Sequence, residues 1–286
     1  MRCVLMCPPD YFTIRDVKNP FMQSAAPIDR RRAFAQWRAL RDAFERAGLC
    51  VATIEAVEDL EDMTFAANPV FAGTGRVHER FVVPSRMRYA SREREVAHYV
   101  AWFARRGFAV LDARLGEGDY LEGFGDLLPH PERAVIWAGY GYRSSHGGIA
   151  RVASTLRPEG LHVEPLRLAD PTFYHLDTCL APLNENAALC FFPAFAPDSL
   201  AALRRGWPRL YDVPRDDALR FACNGIVAGE RYVVSHASSW LRATLADEGL
   251  TPLAIDVSEF EKSGGSVFCL KASFEDAPDF KREATG

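Results

Sequence analysis

The N-terminal stretch reads Met1-Arg2-Cys3-Val4-Leu5-Met6-Cys7-Pro8-Pro9-Asp10, a short apolar run that stops at two prolines. The run from Arg2 to Met6 predicts a buried β-strand. In a doubly wound nucleotide-binding sheet, a glycine-rich phosphate loop would follow this first strand, but Cys7-Pro8-Pro9-Asp10 occupies that place. The stretch therefore argues against a doubly wound sheet and calls for another α/β arrangement.

Strand and helix signals alternate along the rest of the chain. The first helix shows typical boundaries, because Asp29 can cap its start and Gly48 can end it. Repeated units of two strands, one helix and one strand predict a radial arrangement of blades. The predicted helices are Ile28–Ala47, Arg92–Arg106, Gly148–Leu156, Ser199–Arg205 and Ser238–Glu248, and the predicted strands are Arg2–Met6, Cys50–Ile54, Phe65–Ala72, Phe81–Pro84, Phe108–Leu111, Asp119–Leu121, Ala134–Ala138, Leu161–Arg167, His175–Leu183, Ala188–Phe192, Leu253–Val257 and Ser266–Ala272, with a further pair around Ile226–Ser235.

Composition narrows the class of protein. No low-complexity linker divides the 286 residues, so we expect a single domain over residues 1–274 and a polar tail over 275–286. The formal net charge of −4 argues against a nucleic-acid-binding surface. No apolar run approaches the roughly 20 residues of a membrane helix, and the first residues do not resemble a signal peptide, which predicts a cytoplasmic protein with no membrane partner. Seven scattered cysteines without a CxxC pair predict neither a disulfide framework nor a zinc site.

Two segments place carboxylates beside apolar strands. In Glu61-Asp62-Met63-Thr64-Phe65-Ala66-Ala67-Asn68, an acid enters an apolar run and needs a positive partner, although a helix cap or loop would also explain it. In Glu122-Gly123-Phe124-Gly125-Asp126, two carboxylates flank two glycines, which allow either a close approach to a ligand or an ordinary tight turn.

Two further segments carry a histidine and a cysteine. In Phe173-Tyr174-His175-Leu176-Asp177-Thr178, a strand would put His175 and Asp177 on the same face, which suits proton transfer but also fits a core histidine. In Lys262-Ser263-Gly264-Gly265-Ser266-Val267-Phe268-Cys269-Leu270, two glycines lead to a cysteine in the last apolar strand. Cys269 is either a buried structural thiol or, in positive surroundings, a nucleophile.

In this order, the four segments resemble the guanidine-modifying (pentein) superfamily, and most of all its bacterial dimethylarginine dimethylaminohydrolases and arginine dihydrolases. The resemblance also includes Met6-Cys7-Pro8-Pro9, Asn19-Pro20-Phe21-Met22 and Gln36-Trp37. It implies an α/β pentein fold, a five-bladed propeller of ββαβ units with pseudo-fivefold symmetry. It also implies a hydrolase that breaks a C–N bond of arginine or an N-methylated arginine through a covalent thiouronium intermediate, without a metal or another cofactor.

The resemblance assigns roles by motif position. Cys269 corresponds to the nucleophile, His175 to the acid/base and Glu122 to a carboxylate that grips the guanidinium group. The residues expected to bind substrate are Asp62, Asn68, Asp177, Asn19, Arg86, Arg88 and Arg143, of which Asn19 and the three arginines are candidates for the amino-acid end. The expected partner is a small cationic guanidine, and a homo-oligomer is compatible with the sequence.

The chain departs from the family pattern around these residues. Thr172 stands where arginine is common, Ser144-Ser145 where Thr-Asp is common, and Phe268 where lysine is common. Glu61 and Thr64 stand where proline and valine are common. They leave the catalytic set intact and affect the surroundings of the substrate's tail. Two alternatives stay open: an amidinotransferase that uses an amine acceptor, and a non-catalytic binding protein. A papain-like hydrolase fits poorly, because its cysteine would open a helix and precede its histidine.

Overall fold

The computed structural model describes residues 1–24 and 27–276. Fifteen short strands in this part of the chain form five separate sheets of three strands each. The strands are β1 Arg2–Met6, β2 Cys50–Thr53, β3 Val70–Gly73, β4 Phe81–Pro84, β5 Ala109–Val110, β6 Leu127–Pro129, β7 Val135–Tyr140, β8 His162–Arg167, β9 Leu180–Pro182, β10 Ala187–Cys190, β11 Arg209–Asp212, β12 Ile226–Ala228, β13 Arg231–Val234, β14 Thr251–Ala254 and β15 Ala272–Glu275.

Five of the described α-helices connect strands within one sheet. Three of these five begin at a side chain that caps them: Asp29, Ser145 and Ser238 each accept a hydrogen bond from a backbone N–H of the first turn. The α-helices are α1 Arg30–Arg46, α2 Ala90–Ala104, α3 Gly123–Asp126, α4 His146–Leu156, α5 Pro197–Gly206, α6 Arg215–Leu219, α7 Ser239–Asp247 and α8 Ser258–Glu261, and 3-10 helices cover Pro20–Ser24, Leu176–Thr178 and Phe192–Ala194.

All five sheets share one strand order. The middle strand runs antiparallel to the strand on one side and parallel to the strand on the other, as β4 does between β3 and β5. A helix makes each parallel crossover, which buries one face of the sheet. The same ββαβ unit is completed across the ends of the chain in one sheet, because β15 pairs antiparallel with β1. The predicted α/β fold of repeated ββαβ units is confirmed.

Most predicted elements agree with the structure to within one or two residues. The strands Arg2–Met6 and Phe81–Pro84 have the predicted bounds. β15 reaches Glu275, the first residue of the predicted tail, and residues 277–286 lie outside the described part.

Five predicted strands are wrong in part. Residues 65–69 and 267–270 form turns. Within 119–121 only Leu121 makes a β-bridge, to Arg86. Residues 176–178 form a 3-10 helix, and the strand predicted to reach Val257 ends at Ala254. Turns bury the apolar residues at these positions as effectively as strands would. The apolar pattern alone therefore does not distinguish a turn from a strand.

Candidate active site

A fully buried carboxylate, Glu122, organises one half of the site. Its Oε2 accepts hydrogen bonds from Arg143 Nη1 at 2.9 Å and pairs with His175 Nε2 at 2.8 Å. Its Oε1 accepts from the backbone N–H of Arg88 at 3.1 Å. Burial on its own raises the pKa of Glu122, but the positive charge of Arg143 and the hydrogen bond with His175 together hold that pKa well below its usual range. Glu122 is therefore ionised at neutral pH.

Gly123 explains how Glu122 reaches this position. Its φ of +46° lies in the left-handed region, and a Cβ atom there would collide with the carbonyl oxygens of Ala67, Asn68 and Val70. The chain can therefore pack tightly against the residues before β3, which brings Glu122 and Asn68 to the same site. The tight-turn interpretation of the two-glycine segment holds for its backbone, while the Glu122 side chain points at His175 and Arg143.

The second half of the site is a turn that carries Cys269. The Asn224 side chain shapes this turn: its Oδ1 accepts from the backbone N–H groups of Ser266 at 3.1 Å and Cys269 at 3.3 Å. Its Nδ2 donates to the Cys269 Sγ at 3.3 Å and to the carbonyl oxygen of Asp177 at 3.1 Å. Cys269 thus precedes the last strand rather than lying in it, so the predicted strand position of the cysteine is wrong.

The cysteine and its neighbouring carboxylate are both shifted toward their neutral forms. Cys269 Sγ donates to Asp177 Oδ2 at 3.2 Å, and both residues are buried. Burial, and next the Asp177 charge, raise the pKa of Cys269 well above its usual value. Burial likewise raises the pKa of Asp177 to about 7. These shifts favour the thiol form of Cys269, and a positive charge beside the sulfur would favour the thiolate instead.

His175 lies next to a 3-10 helix and not in a strand. Thr178 makes the turn, since its Oγ1 donates to the His175 carbonyl oxygen at 2.6 Å and its backbone N–H donates to the same oxygen at 3.2 Å. The predicted shared strand face of His175 and Asp177 is consequently wrong. The turn sends His175 toward Glu122 and Asp177 toward Cys269, so the two residues serve opposite halves of the site.

Asp62 and Asn68 approach the site from the loop before β3. Asp62 Oδ2 lies 3.0 Å from Lys18 Nζ. Asn68 Oδ1 accepts from Arg92 Nη1 at 2.9 Å. That bond orients the Asn68 amide so that its Nδ2 is a buried donor without a hydrogen-bond partner among the described residues, and Asp177 Oδ1 is a buried acceptor in the same condition. Unpaired buried polar atoms are costly. Asn68 lines the cavity, where a ligand could satisfy its Nδ2, whereas Asp177 reaches the cavity only through its contact with Cys269.

The four remaining sequence candidates divide into two groups. Asn19 is buried and donates to the Ser263 carbonyl oxygen at 2.8 Å, and Arg143 is buried between the rings of Tyr89 and Tyr174. Arg86 and Arg88 point elsewhere: the Arg86 guanidinium donates to the Gly116 carbonyl oxygen, and the exposed Arg88 side chain lies over Tyr120. Neither Arg86 nor Arg88 lines the cavity.

A small cavity lies among these residues, although Glu122 and Asp177 do not line it themselves. It contains about 20 Å³ of free space and is bounded by both halves of the site. Its lining includes Cys269, His175, Asp62, Asn68, Asn19 and Arg143, together with Lys18, Arg92 and Tyr174. Within residues 1–24 and 27–276, no group of three or more His, Cys, Asp or Glu side chains is arranged to hold a metal ion. In the same residues, no helix combines the length and the apolar character needed to cross a bilayer.

Sequence reasoning missed three groups that shape the site. Arg92 holds Asn68, Asn224 holds Cys269, and Lys18 holds Asp62. Each makes its contacts across many positions of sequence, and none belongs to a motif with a recognisable spacing. The one available signal was the position of Lys18, directly before the Asn19-Pro20-Phe21-Met22 segment.

Comparison with known proteins agrees with this geometry. The N,N dimethylarginine dimethylhydrolase family, eukaryotic, matches residues 8–274. The dimethylarginine dimethylaminohydrolase of Mycobacterium tuberculosis is 36% identical over 264 residues, which cover 92% of this chain and 83% of that protein. The bifunctional arginine dihydrolase/ornithine cyclodeaminase ArgZ of Synechocystis is 34% identical over 270 residues, covering 93% of this chain but 37% of that protein.

Solved structures show the same fold. The substrate-bound N-terminal domain of ArgZ, an arginine dihydrolase, superposes with a TM-score of 0.89 and 32% identity, over 96% of this chain and 98% of that one. A second structure of that domain, covalently bound to a reaction intermediate, has a TM-score of 0.88. The fold and the relatives define a pentein and a cysteine-based guanidine hydrolase acting on C–N bonds. Within that class, the chain belongs to the dimethylarginine dimethylaminohydrolase family.

Proposed function

We propose that Cys269 is the nucleophile of this hydrolase, that His175 is its acid/base, and that Glu122 and Asp62 hold the guanidinium group of the substrate. One observation carries the proposal: Cys269, His175 and Asp62 line the same cavity, and Glu122 is bonded to that histidine. The substrate is arginine or an N-methylated arginine.

The carboxylates address the first difficulty of the reaction, which is to hold a planar cation in one orientation. A guanidinium group donates forked hydrogen bonds to carboxylates, so Glu122 and Asp62 can fix its carbon in front of the sulfur. Asn68 Nδ2, which has no hydrogen-bond partner among the described residues and belongs to a residue that lines the cavity, can make a further contact with the substrate. Holding the reacting atoms in place lowers the entropic part of the barrier.

The substrate's own charge addresses the second difficulty, which is the neutral thiol. Cys269 already shares its proton with Asp177, whose pKa of about 7 suits it to take part of that proton at neutral pH. A guanidinium cation beside the sulfur favours the thiolate. The nucleophile is thereby activated only when a substrate is present.

The chemical steps follow in order. The Cys269 sulfur attacks the guanidinium carbon to form a tetrahedral adduct, and His175 gives a proton to the departing ammonia or alkylamine. A thiouronium group then remains on sulfur. His175 takes a proton from water, which attacks the same carbon, and the C–S bond breaks to release a urea-type product and the free cysteine.

A panel of guanidines tests this function. Arginine, N-methylated arginines and agmatine would each be incubated with the protein, with and without an added amine acceptor, and ammonia release and product mass would be recorded. We expect ammonia or alkylamine without any acceptor, together with a urea-type product whose mass equals that of the substrate plus water minus the released ammonia or alkylamine. Turnover that depends on an acceptor would indicate amidino transfer instead, and the absence of turnover or binding with every guanidine would leave only a binding role for other ligands.

A further inference from the structure

Lys18 is a buried lysine in a site built to receive a cation. Its side chain is 3% exposed, and its Nζ lies 3.0 Å from Asp62 Oδ2 and 3.7 Å from Glu61 Oε1. A lysine is rarely buried to this degree unless it is paired. Here the pairing partner, Asp62, is one of the two carboxylates proposed to bind the substrate.

The other carboxylate is also occupied by the protein. Arg143 Nη1 bonds to Glu122 Oε2, so both guanidinium-binding acids carry a resident cation. The cavity beside them has about 20 Å³ of free space, room for roughly one water molecule. A guanidinium group has four heavy atoms and is larger than a water molecule, so side chains that line the cavity have to move before it can enter.

The two cations differ in how firmly they are held. The Arg143 guanidinium is bonded to Glu122 and to the Lys18 carbonyl oxygen, and it lies 4.8 Å from the Tyr89 ring centroid and 4.7 Å from that of Tyr174. Among the described residues, Lys18 Nζ is held by ion pairs with carboxylates, and it stands at the end of a flexible four-carbon chain. Lys18 is thus the cation that can leave.

The lysine has a short route out of the site. Asp16, whose side chain is 68% exposed, lies 3.9 Å from Lys18 Nζ, so the ammonium already borders the rim of the pocket. The Lys18 backbone is fixed, since its carbonyl oxygen accepts from Arg143 and from the Tyr89 hydroxyl. The side chain can rotate toward Asp16 while the main chain stays in place.

We propose that Lys18 is a specificity-determining residue, which releases Asp62 to the substrate guanidinium and then pairs with the carboxylate at the substrate's amino-acid end. This exchange rests on the proposed function. It keeps the buried charges balanced, because the incoming cation replaces the ammonium on Asp62 while the ammonium gains the incoming anion. Arg86 and Arg88 point away from the cavity, and Arg92 is paired with Glu95, which leaves Lys18 as the mobile cation among the described residues that line it.

A comparison of arginine with agmatine, which lacks the carboxylate, tests the exchange. In Lys18→Met, we expect the carboxylate of arginine to lose its cationic partner. Agmatine has no carboxylate and should bind more easily, because Asp62 is no longer blocked. The ratio of kcat/KM for arginine over agmatine should therefore fall at least tenfold, mostly through opposite changes in KM. Lys262→Met is the matched control: it removes a lysine whose Nζ bonds to Glu259 at 2.6 Å outside the cavity, and it should leave the ratio unchanged.

Other outcomes would overturn the proposal. An equal gain for both substrates would mean that Lys18 only blocks the site, and an equal loss would mean that it only supports the structure. Calorimetric binding of arginine and agmatine to Cys269→Ser, with and without Lys18→Met, should give the same change in preference without turnover. A protein that binds both ligands but hydrolyses neither would contradict the proposed function while still deciding the role of Lys18.

Discussion

The two halves of the active site are equally buried, yet they treat charge in opposite ways. In the acidic half, Glu122 keeps its negative charge because Arg143 and His175 stabilise it against burial. In the nucleophile half, burial raises the pKa of Cys269, raises that of Asp177 to about 7, and lowers that of Lys271 to about 7. One half holds its charges before the substrate arrives, and the other half suppresses them.

The difference follows from the partners that each half supplies. Glu122 has an arginine at 2.9 Å, whereas Lys271 Nζ bonds to the Ser273 hydroxyl at 2.9 Å and lies over the Phe268 ring, with no described carboxylate within ion-pairing distance. A charge without a close opposite charge is unfavourable in a buried site. Under the proposed function, the half that carries Cys269 would depend on the charge that a guanidinium brings. The reactivity of the thiol would then be tied to occupancy of the acidic half.

Removing the nucleophile should have the largest effect. In Cys269→Ser, hydrolysis of the preferred guanidine should fall by roughly 10³-fold or more, because a hydroxyl is a far weaker nucleophile in a site that does not activate it. The fold should survive, since a hydroxyl can keep the bonds to Asp177 and Asn224. Ammonia release and circular dichroism measure the two effects. Cys50→Ser, at a half-buried cysteine outside the cavity, is the control, and full activity in Cys269→Ser would refute the assignment.

Neutralising the acidic half should be the costliest change for stability. Glu122→Gln would leave the Arg143 guanidinium buried without its anionic partner, at a cost of about 3–5 kcal/mol in the free energy of unfolding. Because the folded-state pKa of Glu122 is lowered, its contribution is fully present above about pH 4.3 and is lost as the pH falls below that value.

Urea unfolding at pH 7 and at pH 3 measures this difference. Asp59→Asn is the control, because it breaks an ion pair with Arg15 whose two side chains are 49% and 64% exposed, and such pairs contribute less than about 1 kcal/mol. If Glu122→Gln were no more destabilising than Asp59→Asn, the acidic half would not be held by its ion pair.

The accuracy of the sequence-based predictions also differs between strands away from the site and the segments that carry the site. Strands away from the site, such as Phe81–Pro84, agree with their apolar pattern because a proline or a turn ends them. The segments that bear His175 and Cys269 were predicted as strands and are turns. Both residues that the motifs single out nevertheless line one cavity.

The reason lies in contacts that join distant parts of the chain. Asn224 Oδ1 binds the backbone N–H of Cys269, 45 positions away, and so converts an apolar run into a turn. Arg92 Nη1 reaches Asn68 across 24 positions, and Lys18 Nζ reaches Asp62 across an even longer stretch of sequence. No local pattern specifies such pairs. The chemical identity of the site could be predicted, while the groups that hold it in place required the fold.

A charged and a neutral alkylating agent should separate the two halves directly. 2-Chloroacetamidine carries a cation that Asp62 and Glu122 can bind beside the sulfur, and 2-chloroacetamide has nearly the same shape without the charge. We expect Cys269 to prefer the amidine by about 100-fold more than Cys50 does, since only Cys269 depends on an added positive charge. Mass spectrometry of labelled peptides gives both ratios in one experiment. Equal preferences at the two cysteines would mean that occupancy of the acidic half does not activate the thiol.

The smallest expected effect comes from Lys271, and its pH dependence distinguishes charge suppression from simple packing. The pKa of Lys271 is lowered from 10.5 to about 7, so folding is penalised progressively as the pH falls from 10.5 to 7 and by a constant amount below that. Lys271→Met removes this penalty but also loses the Ser273 hydrogen bond. Relative to the parent protein, the variant should therefore gain about 1–3 kcal/mol of unfolding free energy between pH 9 and pH 7, as measured by urea unfolding at each pH. If the difference in unfolding free energy between the variant and the parent protein stays constant over this interval, Lys271 remains charged in the folded protein. The half of the site that carries Cys269 would then have its own cation and would not need the charge of the substrate.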